Sequence, residues 1–242
     1  MAQEALKVEG LVSGYGRMQI VDSVSLSLSA GEVVALIGHN GMGKTTLLRT
    51  LLGQLTARAG SICLGGRDIT RAATAVRSRL GLGYVPQGRQ IFPDLTVMEN
   101  LRIGEAARTG PSDIPWILQR FSPLSALLAR PGRTLSGGEQ QLLALARCLV
   151  GRPSVVLLDE PSEGIQPSIV NQIAEHLHEL SEKQKLAILL VEQDLQLVER
   201  IAHRVVVMRK GKLVSELSSG DLADRGIAKQ LLGNLMLSLG KA

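Results

Sequence analysis

The chain has 242 residues, 45% of them hydrophobic but only 2% aromatic, and a formal net charge of +5. That length allows one large domain, or a domain with a lobe, around an aliphatic core. The basic residues are scattered rather than blocked, which argues against a nucleic-acid surface and fits a basic protein working beside an anionic membrane face.

The segments LKVEGLV (6–12) and SVSLSL (23–28) alternate in polarity and predict strands. VVALIG (33–38) is a continuous apolar run, as in a buried parallel strand, and TTLLRTLLG (45–53) predicts a helix ending at Gly53. SICLGGRDI (61–69) predicts a hairpin about Gly65-Gly66, AATAVRSRL (72–80) a helix and LGYVPQ (82–87) a strand. From about 95 to 135 the character changes: VMENLRIGEAAR, a Pro-containing break at 111–115, WILQRF and SALLAR predict an inserted helical lobe. GGEQQLLALARCLV (137–150) is a strongly apolar helix. SVVLLDE, LAILLVEQ (186–193) and RVVVMRKGKLV (204–214) supply three further strands, with helices over 168–182 and 194–202. One or two short helices are expected from 220 onward. Strands alternating with helices predict a mostly parallel sheet covered on both faces. Residues 1–242 read as one domain, with the lobe inserted over about 95–150.

Cys63 and Cys148 lie outside any CxxC or histidine cluster and read as reduced structural thiols. No apolar run approaches the ~20 residues of a membrane span, and MAQEALKVEG has no apolar signal core. A membrane role would therefore be exercised from the cytosolic side, through partners.

Three motifs carry the chemistry. GHNGMGKT (38–45) fits the phosphate-cradling pattern G-x-x-x-x-G-K-[ST] and lies between a predicted strand and a predicted helix, where it should. Gly38, Gly41 and Gly43 let backbone N–H groups face phosphate oxygens, and the following helix points its positive end at the same anion. Lys44 would pair the β- and γ-phosphates and Thr45 would ligate Mg²⁺. His39, Asn40, Met42 and Thr46 complete the nucleotide-binding stretch, His39 and Met42 as spacers. VVLLDE (155–160) ends a buried strand with Asp159, placed for the Mg²⁺ shell, and Glu160, placed as the general base for an attacking water. LSGGE (135–139) has two readings. Ser136 and Glu139 satisfy the spacing of a capping box. Ser136, Gly137, Gly138 and Glu139 also make a helix start bare enough to take an anion, and in a chain with its own cradle that anion would belong to another subunit's nucleotide.

On these motifs, in this order, the chain resembles the nucleotide-binding subunits of ABC transporters over nearly its whole length. The resemblance implies a RecA-like P-loop α/β core with an N-terminal antiparallel β subdomain and the inserted helical lobe. It implies hydrolysis of ATP with Mg²⁺ in a dimer of two such subunits, identical or paralogous. Tyr15 in SGYG matches the adenine-stacking aromatic. Gln87 in YVPQG matches the glutamine that contacts Mg²⁺ or the attacking water and links the site to two transmembrane permease subunits, with docking near Gly88–Asn100. Ile91, Phe92 and Leu95 in that stretch are either exposed for docking or folded onto the lobe. An extracytoplasmic solute-binding protein would act indirectly, and the location implied is the cytoplasmic face of the inner membrane.

Three positions depart from the family pattern. Glu139 replaces the usual signature glutamine, Gln166 the usual D-loop aspartate, and Gln193 the histidine that senses the γ-phosphate. LLVEQD, YVPQGRQIFPDLTVMENL and DEPSEGIQPS resemble the subgroup serving branched-chain amino-acid, urea and short-amide importers, with EGIQPSIV on the urea and amide side. The alternative is a soluble ATPase of the same superfamily acting on nucleic acid or in translation, but the chain has neither a coiled-coil insertion nor a second cassette. A P-loop GTPase would show an NKxD base reader, which is missing, and a kinase would leave LSGGE unexplained.

Overall fold

The opening alternation extends into two long strands, Glu4–Tyr15 (β1) and Met18–Ser29 (β2), paired antiparallel across a turn at Gly16-Arg17. Both outrun the predicted segments because β-bulges, between Val8 and Leu11 and between Leu11 and Ser13, break the period of two that marks a strand in sequence. The computed structural model describes residues 3–106, 110–218 and Asp221, so the expected tail helices lie outside the described residues.

The remaining elements follow as Val33–Ile37 (β3), Lys44–Leu51 (α1), Ala59–Leu64 (β4), Arg67–Asp68 (β5), Thr74–Arg79 (α2) and Leu82–Val85 (β6). Then come Val97–Glu105 (α3), Ile114–Arg120 (α4), Ser122–Ser125 (α5), Gly137–Leu149 (α6) and Val155–Asp159 (β7). Pro167–Gln184 (α7), Ala187–Val191 (β8), Leu195–Ile201 (α8), Arg204–Arg209 (β9) and Lys212–Leu217 (β10) complete the described chain. One sheet is antiparallel in the order β2-β1-β4-β5; the other runs β10-β9-β3-β8-β7-β6 and is parallel except for β10.

The segment 204–214, expected as one strand, is a hairpin. Lys210 and Gly211 both take positive φ, 47° and 81°, as a two-residue type I′ connection requires. SALLAR, expected to be helical, supplies only the end of the single turn α5 before the chain leaves helix geometry.

Every residue of β3, β7 and β8 is buried, which explains their unbroken apolar runs. Alternate side chains enter two different cores. Val156, Leu158, Ile188 and Leu190 pack with the lobe and α6 around Leu101, Phe121 and Leu143. Val155, Leu157, Leu189 and Val191 pack beneath α1 and the antiparallel sheet, against Leu47, Leu51 and Leu6. The sheet is thus covered on both faces, as predicted. With β3, β8, β7 and β6 adjacent and parallel, their carboxyl ends line one edge, the place where open α/β sheets present their ligand sites.

Candidate functional site

Each of those four strand ends delivers a predicted site residue. The loop after β3 carries Gly38–Gly43 and leads into α1, whose first residue is Lys44. Gly43 caps the helix at φ 104°, and a Cβ there would lie 3.2 Å from the Ile20 carbonyl oxygen, so both conformation and space call for glycine. Lys44 is buried, with its Nζ donating to the carbonyls of Gly38 (2.5 Å) and His39 (3.2 Å). Burial lowers its pKa, opposed by the charges of Glu160, Asp159 and Glu192. Met42, read as a spacer, anchors the loop to the β9–β10 turn: its carbonyl accepts from the Gly211 N–H (3.0 Å) and its sulfur lies 3.4 Å from the Lys210 nitrogen.

Asp159 ends β7 at 2% exposure, held by the hydroxyls of Thr45 and Tyr84. Its pKa is raised, first by burial and then by the charge of Glu160 beside it. A buried carboxylate of raised pKa next to a threonine hydroxyl and a second carboxylate is a hard-oxygen set that a divalent cation would stabilise; the residues therefore fit Mg²⁺. Glu160 leaves the strand with φ 49°, a left-handed conformation that costs a non-glycine residue roughly 1–2 kcal/mol. Its N–H is still tied to the Val191 carbonyl at 2.9 Å, so the turn redirects the side chain without releasing the sheet.

The Glu160 carboxylate is the meeting point. Its Oε1 accepts from Gln193 Nε2 at 2.6 Å, its Oε2 from Gln87 Nε2 at 3.2 Å, and Lys44 Nζ lies 3.9 Å from Oε1. Gln193 also donates to Asn40 Oδ1 at 3.0 Å, and Gln87 to Glu163 Oε2 at 2.9 Å. Four segments distant in sequence thus converge on one acceptor, with a cation at its edge.

The structure does not bring every predicted residue into this cluster. Tyr15 ends β1 at 43% exposure, its hydroxyl accepting from Arg49 of α1 at 3.2 Å. Ser136–Glu139 lie apart, with no hydrogen bond to Gly38–Thr46 among the described residues. There the capping box is fully formed: Ser136 Oγ accepts from the Glu139 N–H (3.3 Å), and Glu139 Oε2 from the Ser136 N–H (2.7 Å). The carboxyl of Glu139 is accordingly held below its usual pKa. Gln166 is exposed and precedes α7 in extended geometry.

Sequence reasoning missed several residues. Glu163 shares Gln87 with Glu160. Arg89 and Gln90, both with positive φ (66° and 45°), turn the Arg89 guanidinium toward Gly137, where a Cβ would come within 3.0 Å of Nη2. Arg89 also lies 3.4 Å from the Gly164 carbonyl and from Gln140 Oε1, joining the loop after β6 to the loop after β7 and to α6. Glu192 is buried behind the cluster. Nothing in the sequence marks these side chains beyond their lying beside a motif.

Phe92 is 43% exposed, with the Arg147 guanidinium 5.1 Å from its ring centre, while Ile91 packs on the lobe core; the two expectations for this loop each hold for one side chain. Buried Asn100 fixes the loop, accepting from the Phe92 N–H (2.9 Å) and donating to the carbonyls of Phe92, Leu95 and Thr96.

Comparison with known proteins adds to this geometry. Residues 21–163 match the family model described as ABC transporter. The chain is 38% identical over 204 residues to the high-affinity branched-chain amino acid transport ATP-binding protein BraG of Pseudomonas aeruginosa, covering 83% of this chain and 87% of that one. It is 36% identical over 232 residues, 94% of each chain, to the "probable branched-chain amino acid transport ATP-binding protein LivF" of Archaeoglobus fulgidus. A crystal structure of the ADP conformation of an ATP-binding cassette of an ABC transporter superposes with a TM-score of 0.84 at 28% identity, covering 98% of each chain.

Proposed function

The chain belongs to the ABC transporter family as an ATP-binding, ATP-hydrolysing subunit, and from that premise we propose that it energises an importer of branched-chain amino acids. The observation that carries the chemistry is the convergence of Gln87, Gln193 and Lys44 on the Glu160 carboxylate.

ATP lies along Gly38–Thr46, with adenine on the exposed ring of Tyr15; such stacking is worth about 0.5–1.5 kcal/mol. Lys44 exchanges the carbonyls of Gly38 and His39 for β- and γ-phosphate oxygens, which its three ammonium hydrogens also suit. Thr45, Asp159 and Gln87 would hold Mg²⁺, which when bound neutralises charge on the transferred phosphoryl group. Glu160 accepts the proton of the attacking water, oriented by Gln193 and Gln87. Gln193 supplies hydrogen bonds but no charge, so Lys44 remains the protein cation in contact with Glu160. Ser136–Glu139 complete the nucleotide of a second subunit, identical or paralogous, which accounts for their separation from this chain's own cradle.

The permease subunits dock in the groove of about 760 Å³ between the core and the lobe, lined by Gln90, Phe92, Ile103, Arg147 and Arg152 among others. It adjoins Gly88–Asn100 and is lined by Tyr84 and Gln90, three residues to either side of Gln87, so a permease segment seated there would feel movement at the site. Among the described residues no helix is long and apolar enough to cross a membrane. The proposed place is the cytoplasmic face of the inner membrane.

The test is uptake of labelled leucine and labelled urea in cells with and without this chain, with Lys44→Ala as control. Loss of leucine uptake supports the proposal. Loss of urea uptake alone would move the assignment to the urea and short-amide side that EGIQPSIV resembles. If neither uptake is lost, the assignment of solute class is overturned.

A further inference from the structure

Glu192 follows the last residue of β8 and is 2% exposed, yet it has no ion-pair partner among the described residues. A buried carboxylate is costly unless its oxygens are satisfied. Here backbone N–H groups from two separate loops satisfy them. Oε1 accepts from Ser162 (2.9 Å) in the loop after β7, and Oε2 from Gln193 (2.9 Å) and Asp194 (3.1 Å) in the loop after β8. These loops carry Glu160 on one side and Gln193 on the other, and their side chains meet at 2.6 Å. Lys44 is the cation that feels the Glu192 charge, from the far side of the cluster. Burial raises the Glu192 pKa, while the Ser162 hydroxyl and the N–H donors of Asp194, Ser162 and Gln193 act against that rise.

We propose that Glu192 is a positioning residue for hydrolysis: its carboxylate ties the loop bearing Glu160 to the loop bearing Gln193 and so sets the Glu160–Gln193 contact that orients the attacking water. The inference rests on Glu160 being the water-activating base. The two loops are parts of one sheet edge only at Asp159 and Val191, where β7 and β8 still pair. Beyond that point, besides the Glu160–Gln193 contact itself, the Glu160 N–H to the Val191 carbonyl and the Glu192 carboxylate link them. A carboxylate serves this place better than an amide because it offers two acceptors and no donor. Glutamine at 192 would have one oxygen and one NH₂. Whichever way it sat, either the Ser162 N–H or the pair from Gln193 and Asp194 would face a donor.

The experiment is steady-state ATPase kinetics on the full chain for Glu192→Gln, Ser162→Pro, their double variant and Glu160→Gln, with a thermal melt of each. Ser162→Pro deletes the bridging N–H together with the Ser162 hydroxyl while leaving both carboxylates and Gln193 in place. The expected result is a fall in kcat of about tenfold or more in each clamp variant, short of the ~10²–10⁴-fold of losing the general base itself, with KM for ATP within about twofold. The double variant should be no slower than the slower single one, because both remove one link. A kcat within twofold of the parent in Glu192→Gln, a KM that rises in step, or losses that multiply in the double variant would each overturn the proposal. A normal rate in Glu160→Gln would overturn the base assignment, while a normal rate in Glu192→Gln would overturn the clamp alone.

Discussion

Arg77 is a buried guanidinium whose hydrogen bonds run to carbonyls alone, and replacing it tests how the nucleotide-binding helix is held. It is 2% exposed, and burial lowers its pKa. Its Nε donates to Ala72 O (2.8 Å), Nη1 to Thr50 O (2.9 Å) and Leu51 O (2.6 Å), and Nη2 to Thr70 O (2.9 Å). Thr50 and Leu51 form the last turn of α1, whose carbonyls have no partner within the helix and carry its negative end. Arg77→Met keeps much of the volume but takes a donor from each of these acceptors, although the Thr50 carbonyl keeps the Gly53 N–H at 3.0 Å. Replacing a buried charge by an apolar group is neutral only where its partners can find others, and here four carbonyls lose a donor, two of them at fully buried bonds. Hydrogen bonds to a charged group are worth about 1.5–3 kcal/mol each but do not add, and relief of the guanidinium's desolvation offsets part of the loss. A net destabilisation of about 3–4 kcal/mol is expected. For a chain of this size that lowers the melting temperature by roughly 6–16 °C. The assay is thermal unfolding followed by circular dichroism, with nucleotide affinity measured well below the transition. A Tm within about 2 °C of the parent would refute the reasoning, because the carbonyls would then have found other donors at no cost.

Two further outcomes can be checked directly. Glu160→Gln should bind ATP while turning over about 10²–10⁴-fold more slowly, and with ATP it should elute as a dimer; a monomer at saturating ATP would count against the sandwich for the isolated chain. Cys148 is half-buried at the wall of the groove, and desolvation there pushes its thiol up to about 12, so at pH 8 only about one molecule in 10⁴ carries the thiolate. Iodoacetamide should therefore label Cys63 in the native protein and reach Cys148 only in denaturant; equal native labelling by mass spectrometry would contradict the packing of Cys148 against Gly83.

Much of this architecture was readable because it rests on regular patterns. The apolar runs of β3, β7 and β8 could only be buried strands, and a cradle between a strand and a helix fixed where the phosphates go. The errors fall where one residue overrides a pattern. Bulges hid half of β1 and β2, and the positive φ of Lys210 and Gly211 split an apparent strand into a hairpin. Within the site, Lys44, Asp159 and Glu160 follow from motif order. Glu163, Arg89 and Glu192 do not, because their roles come from backbone turns after three strands that only the sheet brings together. Ser136 shows how two readings can coexist. The capping box that would explain LSGGE as ordinary helix chemistry is present, and the glycines beside it are half-buried, Gly137 facing the Arg89 guanidinium and Gly138 facing Ile169.

Gln193 decides how the site responds to pH. Its amide nitrogen has two hydrogens, and both are used, one on Glu160 Oε1 and one on Asn40 Oδ1. This arrangement is complete at any pH where Glu160 is ionised. A neutral imidazole has one N–H and one acceptor, so histidine at 193 could donate to Glu160 or to the Asn40 oxygen but not to both; only the imidazolium donates twice. Gln193→His should therefore make kcat depend on imidazole protonation. Activity would be highest below a pKa at or above the ordinary histidine value of about 6.5, since the Glu160 charge favours the protonated ring, and would fall as pH rises through it. The parent should lack that limb. His39 is present in both proteins, so the ratio of the two kcat profiles between about pH 6 and 8.5 isolates position 193. If that ratio is flat, the Gln193 contacts do not set the geometry of the attacking water, and the charge-neutral switch inferred from Glu160 and Asn40 fails.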